Sequence, residues 1–131
     1  MAVSHITVTL AAPVQKVWET VTALDAYAWR SDLRAVRVMN ETQFVEYAKD
    51  GFATTFTVTC TEPYRRWEFD LENANMHGHW VGVFTPKGTQ TEITFTEDVT
   101  AKKRLMKPFV KPFLKKQQAQ YVADLKKALE V

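Results

Sequence analysis

Apolar residues recur at Leu105, Met106, Phe109, Val110, Phe113, Leu114, Tyr121, Val122, Leu125 and Leu129, a spacing that matches one face of a helix. Lys107, Lys111, Lys115, Lys116, Gln118, Lys126 and Lys127 fall between them. The segment from Leu105 to Leu129 therefore predicts an amphipathic helix whose oily face the rest of the chain must cover. Pro108 and Pro112 predict either a kink or a first short turn followed by a main helix from about Pro112 to Leu129. A proline inside a helix removes one hydrogen bond and crowds the preceding turn.

Upstream, Ile6, Val8 and Leu10 alternate with His5, Thr7 and Thr9, the period of a half-buried strand. Pro13 suits the start of a helix, and Val14, Val17, Trp18, Val21 and Leu24 follow at helical spacing. Asp25 is placed to cap a second short helix, Ala26 to about Leu33. Its Tyr27 and Trp29, with Trp18 before them, are expected to pack against a sheet.

From Ala35 to about Thr100 the period falls to two. Val36 and Val38 begin a strand, Asn40 to Thr42 turns it, and Phe44 to Lys49 returns. Asp50-Gly51 predicts a type I′ hairpin turn, with positive φ at both positions. Phe52, Phe56, Val58 and Cys60 are then expected on one face, with Thr55, Thr57, Thr59 and Thr61 opposite. After a loop at Glu62 to Arg65, Trp67, Phe69 and Leu71 alternate with Arg66, Glu68, Asp70 and Glu72. Asn73 to Met76 turns again. The next strand, His77 to Thr85, sets Trp80 and Phe84 against Val81 and Val83, and Pro86 to Thr89 closes a hairpin. The last strand, Gln90 to Thr100, sets Ile93, Phe95, Glu97 and Val99 against Glu92, Thr94, Thr96 and Asp98. Connections this short make an antiparallel meander rather than βαβ units. The expected fold is α+β: a curved antiparallel sheet of about seven strands around the long C-terminal helix, with two short helices after strand one and a pocket between sheet and helix.

At 131 residues the chain is expected to form one domain, residues 1–131. An apolar fraction of 46% and a charged fraction of 24% exclude the disordered and fibrous classes. The single cysteine, Cys60, has no intramolecular disulfide partner, and no apolar leader or membrane span is evident. The expected location is the cytoplasm. The net charge of +2 conceals an asymmetry: residues 101–131 hold nine basic and two acidic side chains. Such a basic amphipathic helix suits peripheral contact with an anionic membrane or an acidic partner, or serves only as a solvated back. The basic residues are not interleaved with exposed aromatics, so nucleic acid is not an expected partner.

Among candidate chemical groups, Glu97 is singled out by parity, because it shares a face with Ile93, Phe95 and Val99. A carboxyl facing the helix would lose solvation, and its pKa would rise. A bulge near the end of the strand would instead turn it to solvent or to a lysine. His77 and His79 share a face, but His5 and Cys60 offer no third ligand at zinc-like spacing, so no metal is expected. Trp67, Trp80, Phe56, Phe69, Phe84, Phe95, Phe109 and Phe113 are the inward aromatic set, with Tyr47 and Tyr121 as sources of hydroxyls. Cys60 reads as an inert buried thiol. Phosphate loops, nucleophile elbows and HExxH patterns do not occur, and no cofactor is called for.

The layout of strand, two short helices, six strands and long helix carries three stretches together: Ala12-Pro13-x-x-x-Val17-Trp18, Tyr27-x-Trp29-Arg30-Ser31-Asp32-Leu33 and Asp124-Leu125-Lys126-Lys127. It resembles the START-like superfamily over nearly the whole chain, in particular its polyketide cyclase/dehydrase and lipid-transport branch. The resemblance implies a helix-grip fold with an internal apolar cavity, in a superfamily of lipid carriers, hormone and allergen-type binders, aromatase/cyclases and chaperone activators. The favoured expectation is non-catalytic binding of a small hydrophobic molecule. Its lining would be Phe56, Val58, Trp67, Phe69, Trp80, Phe84, Phe95, Glu97, Phe109, Phe113 and Tyr121. The alternatives are a polyketide cyclase or dehydratase with Glu97 as acid/base, and an interaction module that meets an acidic partner through the basic helix.

Overall fold

In the computed structural model, which describes residues 2–130, the alternating segments form one antiparallel sheet. Strand β1 (Ala2–Leu10) is followed by helix α1 (Val14–Thr22). A meander then runs through β2 (Leu33–Val38), β3 (Gln43–Ala48), β4 (Ala53–Glu62), β5 (Arg66–Glu72), β6 (Met76–Lys87) and β7 (Gln90–Ala101). The order across the sheet is β1-β7-β6-β5-β4-β3-β2. Only β1 departs from sequence order, pairing with β7 so that Ile6 lies opposite Phe95 and Leu10 opposite Thr91. A single 3-10 turn, Arg104–Met106, leads into α2 (Lys107–Leu129). This is the α+β architecture that the two periodicities predict, in the helix-grip form that the resemblance implies.

The concave face of the sheet carries Phe44, Phe56, Trp67, Phe69, Trp80, Phe84, Ile93 and Phe95, all buried. Against it, α2 packs chiefly on β1 and β7 and also touches α1, through Val110, Leu114, Val122, Leu125 and Leu129. Gln118 fixes this seat. Its Nε2 donates to the Ser4 carbonyl at 3.0 Å, and its Oε1 accepts from Ser4 Oγ at 2.8 Å, so the polar break in the oily stripe is fully used where it is buried.

Four local expectations are corrected. The second short helix does not form. Residues 23–32 make two turns, closed by Ala26 N–H on the Ala23 carbonyl (3.1 Å) and Arg30 N–H on the Tyr27 carbonyl (2.9 Å). A helix of two turns has little stability of its own, and the side chains of Trp29, Arg30 and Ser31 find tertiary partners instead. At Asp50-Gly51 only Gly51 has positive φ, +89°. Gly51 N–H closes the turn on Ala48 and Phe52 follows as the pairing residue, a three-residue loop in place of a type I′ turn.

Cys60 lies on the other face from Phe56 and Val58. The register slips between Val58, opposite Phe69, and Cys60, opposite Glu68, because a bulge at Thr59 absorbs one residue and reverses the alternation. The thiol is half-buried on the convex side. Finally, the first short turn is Arg104–Met106, and the main helix begins at Lys107 rather than about Pro112, running through Pro112 to Leu129. Pro108 sits in its first turn, and both prolines are exposed, so the Pro108 carbonyl that loses its partner is open to water.

Gly82 holds a position on the concave side of β6 where a Cβ would come within 2.4 Å of the Trp80 indole and 3.3 Å of Phe95. The missing side chain is what lets Trp80 lie flat along the strand. Gly82→Ala is expected to lower stability by about 1–3 kcal/mol, the usual range for overpacking, measured by urea denaturation. A change within about 0.5 kcal/mol would mean that Trp80 has another place to go.

Candidate functional site

Between α2 and the β2 to β7 part of the sheet lies a cavity of about 530 Å³, within the range of small-molecule sites. Its sheet wall is a continuous run of ring contacts. Phe44 stacks on Phe56 at 4.9 Å, Phe56 meets Phe69 edge-on at 5.1 Å, Phe69 stacks on Trp80 at 4.7 Å, and Trp80 meets Phe95 at 4.9 Å. Phe95 then meets Tyr121 of α2 at 5.7 Å, and Tyr121 meets Trp29 at 5.2 Å. Offset and edge-on pairs of this kind add to simple area burial. From Met106, at the end of the 3-10 turn, the lining runs along α2 through Phe109, Phe113 and Gln117 to Tyr121. At 1.5 Å per residue, Phe109 and Tyr121 are about 18 Å apart.

A polar cluster interrupts this wall near Tyr121. Arg30 donates to Asp32 through Nε (3.0 Å) and Nη2 (2.9 Å), and to Glu46 through Nη1 (3.3 Å). The Tyr121 ring covers the guanidinium face, 4.7 Å from Cζ. Burial opposes the charge of Arg30, but Glu46, Tyr121 and Asp32 outweigh it and hold its pKa above the ordinary value. Burial raises the Glu46 carboxyl, partly offset by Arg30. Burial likewise pushes the Tyr121 hydroxyl up.

Glu97 is different. Its register partners on the same face are Ser4 and Trp80, and its carboxyl has no hydrogen-bond partner among the described residues. Burial, and then the Glu46 charge, push its pKa up to about 7, with Arg30 opposing. The β6–β7 register is unbroken from Met76 to Ala101, so no bulge turns Glu97 outward. The surface that it keeps faces the cavity.

The family model for polyketide cyclase / dehydrase and lipid transport matches residues 1–130. The chain belongs to this family. The fold is similar to that of a START superfamily protein from Mycobacterium smegmatis, with a TM-score of 0.87 at 16% identity, covering 98% of this chain and 97% of that one. A conserved protein from Geobacillus kaustophilus matches with a TM-score of 0.86 at 12% identity, covering 98% and 95%. The di-domain ARO/CYC BexL from the BE-7585A biosynthetic pathway matches with a TM-score of 0.84 at 12% identity, where this chain spans 99% of its own length and 47% of that protein. A search of curated proteins finds no match. Among the described residues no helix is long and apolar enough to cross a membrane.

In this member of the polyketide cyclase/dehydrase and lipid-transport family, the cavity brings together Phe56, Trp67, Phe69, Trp80, Phe95, Glu97, Phe109, Phe113 and Tyr121. Val58 and Phe84 lie outside it. Val58 is half-buried at the core margin beside the β4 bulge, and Phe84 packs against Trp18 at 5.0 Å, under α1. Phe109 and Phe113 stand at the rim, 69% and 49% exposed, because α2 leans on β1 and β7 and leaves that flank uncovered. Tyr47 is not in the lining, since Phe44, Glu46 and Ala48 take the concave positions of β3. His79 is on the convex face, with Nδ1 2.6 Å from Asp70 Oδ1 and Nε2 2.8 Å from Glu68 Oε1.

Sequence reasoning missed Arg30, Asp32, Glu46 and Phe44. The parity rule that singles out Glu97 also picks Phe44 and Glu46, which alternate with Val45 and Tyr47. Arg30 and Asp32 lie in an aperiodic segment that carries no such signal.

Glu97 makes the stability of the fold depend on pH. Its folded pKa of about 7 lies above the ordinary 4.5, so the native state disfavours the ionised form, and stability is lost as pH rises from about 4.5 through 7. The full loss is at most about 3 kcal/mol, softened by cavity water. Glu97→Gln should remove this slope, gaining stability on the wild type between pH 5 and pH 8 in urea titrations. A wild-type minus variant difference that stays flat with pH would contradict the buried, unpartnered carboxyl.

Proposed function

We propose that this protein holds one small hydrophobic molecule, a lipid or an aromatic or polyketide-like metabolite, between the sheet and α2 without transforming it. The observation that carries this reading is the cavity itself: its aromatic wall is satisfied by ring-to-ring contacts and still leaves about 530 Å³ unfilled. Affinity would come from moving apolar ligand surface out of water, at about 0.8 kcal/mol per methylene. Exposed Phe109 and Phe113, flanked by Lys107 and Lys111, form the part of the rim suited to touching a lipid surface while a guest enters or leaves.

A second reading, a cyclase or dehydratase on a polyketide-like substrate, is favoured by one observation. Glu97 holds a proton near neutrality inside an aromatic-walled cavity with Tyr121, which suits general acid/base chemistry. The fold likeness to an ARO/CYC protein is compatible with it. Turnover of such a substrate with a pH–rate inflection near 7 that Glu97→Gln abolishes would favour the enzyme; a change in affinity alone favours the carrier.

Two measurements test the carrier. Native mass spectrometry of gently purified protein should reveal a retained small molecule. In a series of linear alcohols, affinity by melting shift should rise about fourfold per methylene until the cavity is filled. Val36→Trp, which adds an indole to the β2 side of the lining, should weaken the longest alcohol tenfold or more. No dependence on chain length, together with no retained mass, would defeat the proposal.

A further inference from the structure

The outside and the inside of this protein carry opposite charge. The chain is +2 overall and its C-terminal segment strongly basic, yet no lysine lines the cavity. The charged side chains that do so, among the described residues, are one cation, Arg30, and four carboxyls, Asp32, Glu46, Asp50 and Glu97. Arg30 is already engaged, with its edge on two carboxylates and its face against Tyr121. Asp32 and Glu46 together more than cancel it. Among the described residues Glu97 has no hydrogen-bond or ion-pair partner, and it presents its free surface to the cavity.

We infer that the cavity selects its guest by charge, taking apolar molecules with a cationic, amine-type head in preference to neutral ones and discriminating against fatty-acid-type carboxylates. The inference rests on the binding reading above and specifies its ligand class. An ammonium group near Glu97 would find an unpaired carboxylate in surroundings of lowered dielectric, where a charge pair is worth several times its value in water. A ligand carboxylate in the same place would meet Glu97 and Glu46 with no free cation to receive it. The groups around Glu97 are Ser4 from β1, Trp80 from β6, Glu46 from β3, Arg30 and Asp32 from the 23–32 loop, and Tyr121 and Gln118 from α2. None but Arg30 is cationic. Since Glu97 titrates at about 7, an amine guest should bind more tightly as pH rises through that value.

The test uses the full chain and three guests of equal length: decylamine, decanol and decanoate. All are held below their micelle concentrations in about 150 mM salt, so that the lysines outside are screened beyond about 8 Å. Displacement of the neutral dye N-phenyl-1-naphthylamine and the melting shift are read in parallel at pH 8. Decylamine is expected to bind at least tenfold more tightly than decanoate, with decanol between them, and Glu97→Gln should shrink that gap to threefold or less. The wild type supplies a reading that needs no variant, a loss of decylamine affinity from pH 8 to pH 6. Decanoate binding as well as decylamine, or a gap that persists in Glu97→Gln, overturns the charge selection and leaves the cavity reading standing. Failure of all three guests by both readouts overturns both.

Discussion

One helix cannot cover seven strands, and the rest of the structure follows from how that mismatch is resolved. Strands spaced about 4.8 Å apart make a sheet about 29 Å wide, while a helix with its side chains is about 10–12 Å across. Here α2 takes its place at one side, on β1 and β7, anchored by the Gln118 and Ser4 hydrogen bonds. The concave surface of β3 to β5 has no helix packed directly against it. Large rings at Phe44, Phe56, Phe69 and Trp80 supply one another's contacts across the strands, which stabilises the wall laterally. Lateral contact does not fill the space in front of it, so a cavity persists.

That arrangement also sets the cost of every polar group behind the rings. A charge removed from water is tolerated when it is paired and hydrogen-bonded, and Arg30, Asp32 and Glu46 meet the condition together. Glu97 does not. Removing its charge by protonation is the cheaper course near neutrality, and the same lack of a partner makes it the group a guest would reach. An unpaired carboxyl in a self-satisfied aromatic wall has no evident structural duty, in contrast to Gln118, whose amide is consumed in holding α2 down.

Much of this was legible from periodicity. A period of two located the strands, and parity put Glu97 among Ile93, Phe95 and Val99. Where the structure departs from the pattern, the cause lies in contacts that a pattern cannot encode. The alternation in β4 predicted Cys60 beside Val58, but a one-residue bulge moves it to the convex face. The helical stripe of α2 counted Phe109 and Phe113 with Val110 and Leu114, since spacing reports which side is oily and not how far the cover extends. The 23–32 segment had the cap and aromatic residues of a helix. Its side chains are drawn to separate partners, Trp29 to Tyr121 and Arg30 to Glu46, and local propensity yields to them.

Two of the three sequence stretches that carry the family resemblance are joined in the fold. Ser31, beside Arg30, donates its N–H and its Oγ to Asp124 Oδ2, both at 2.8 Å, and Gln120 donates to Asp124 Oδ1 at 2.8 Å. Burial works against the Asp124 charge, but these donors prevail and hold its pKa below the usual range, so the acceptor stays ionised. A loop whose own backbone closes two turns and forms no helix is thereby fastened to α2. The fastening sits next to Arg30 in sequence and less than one helical turn from Tyr121, the ring that covers the Arg30 guanidinium. The position of Arg30, the one cation among the described cavity residues, is thus set by α2 twice, once through the Tyr121 face and once through the Asp124 carboxylate. Its balance against Glu46 and Glu97 is a property of how the helix sits on β1 and β7.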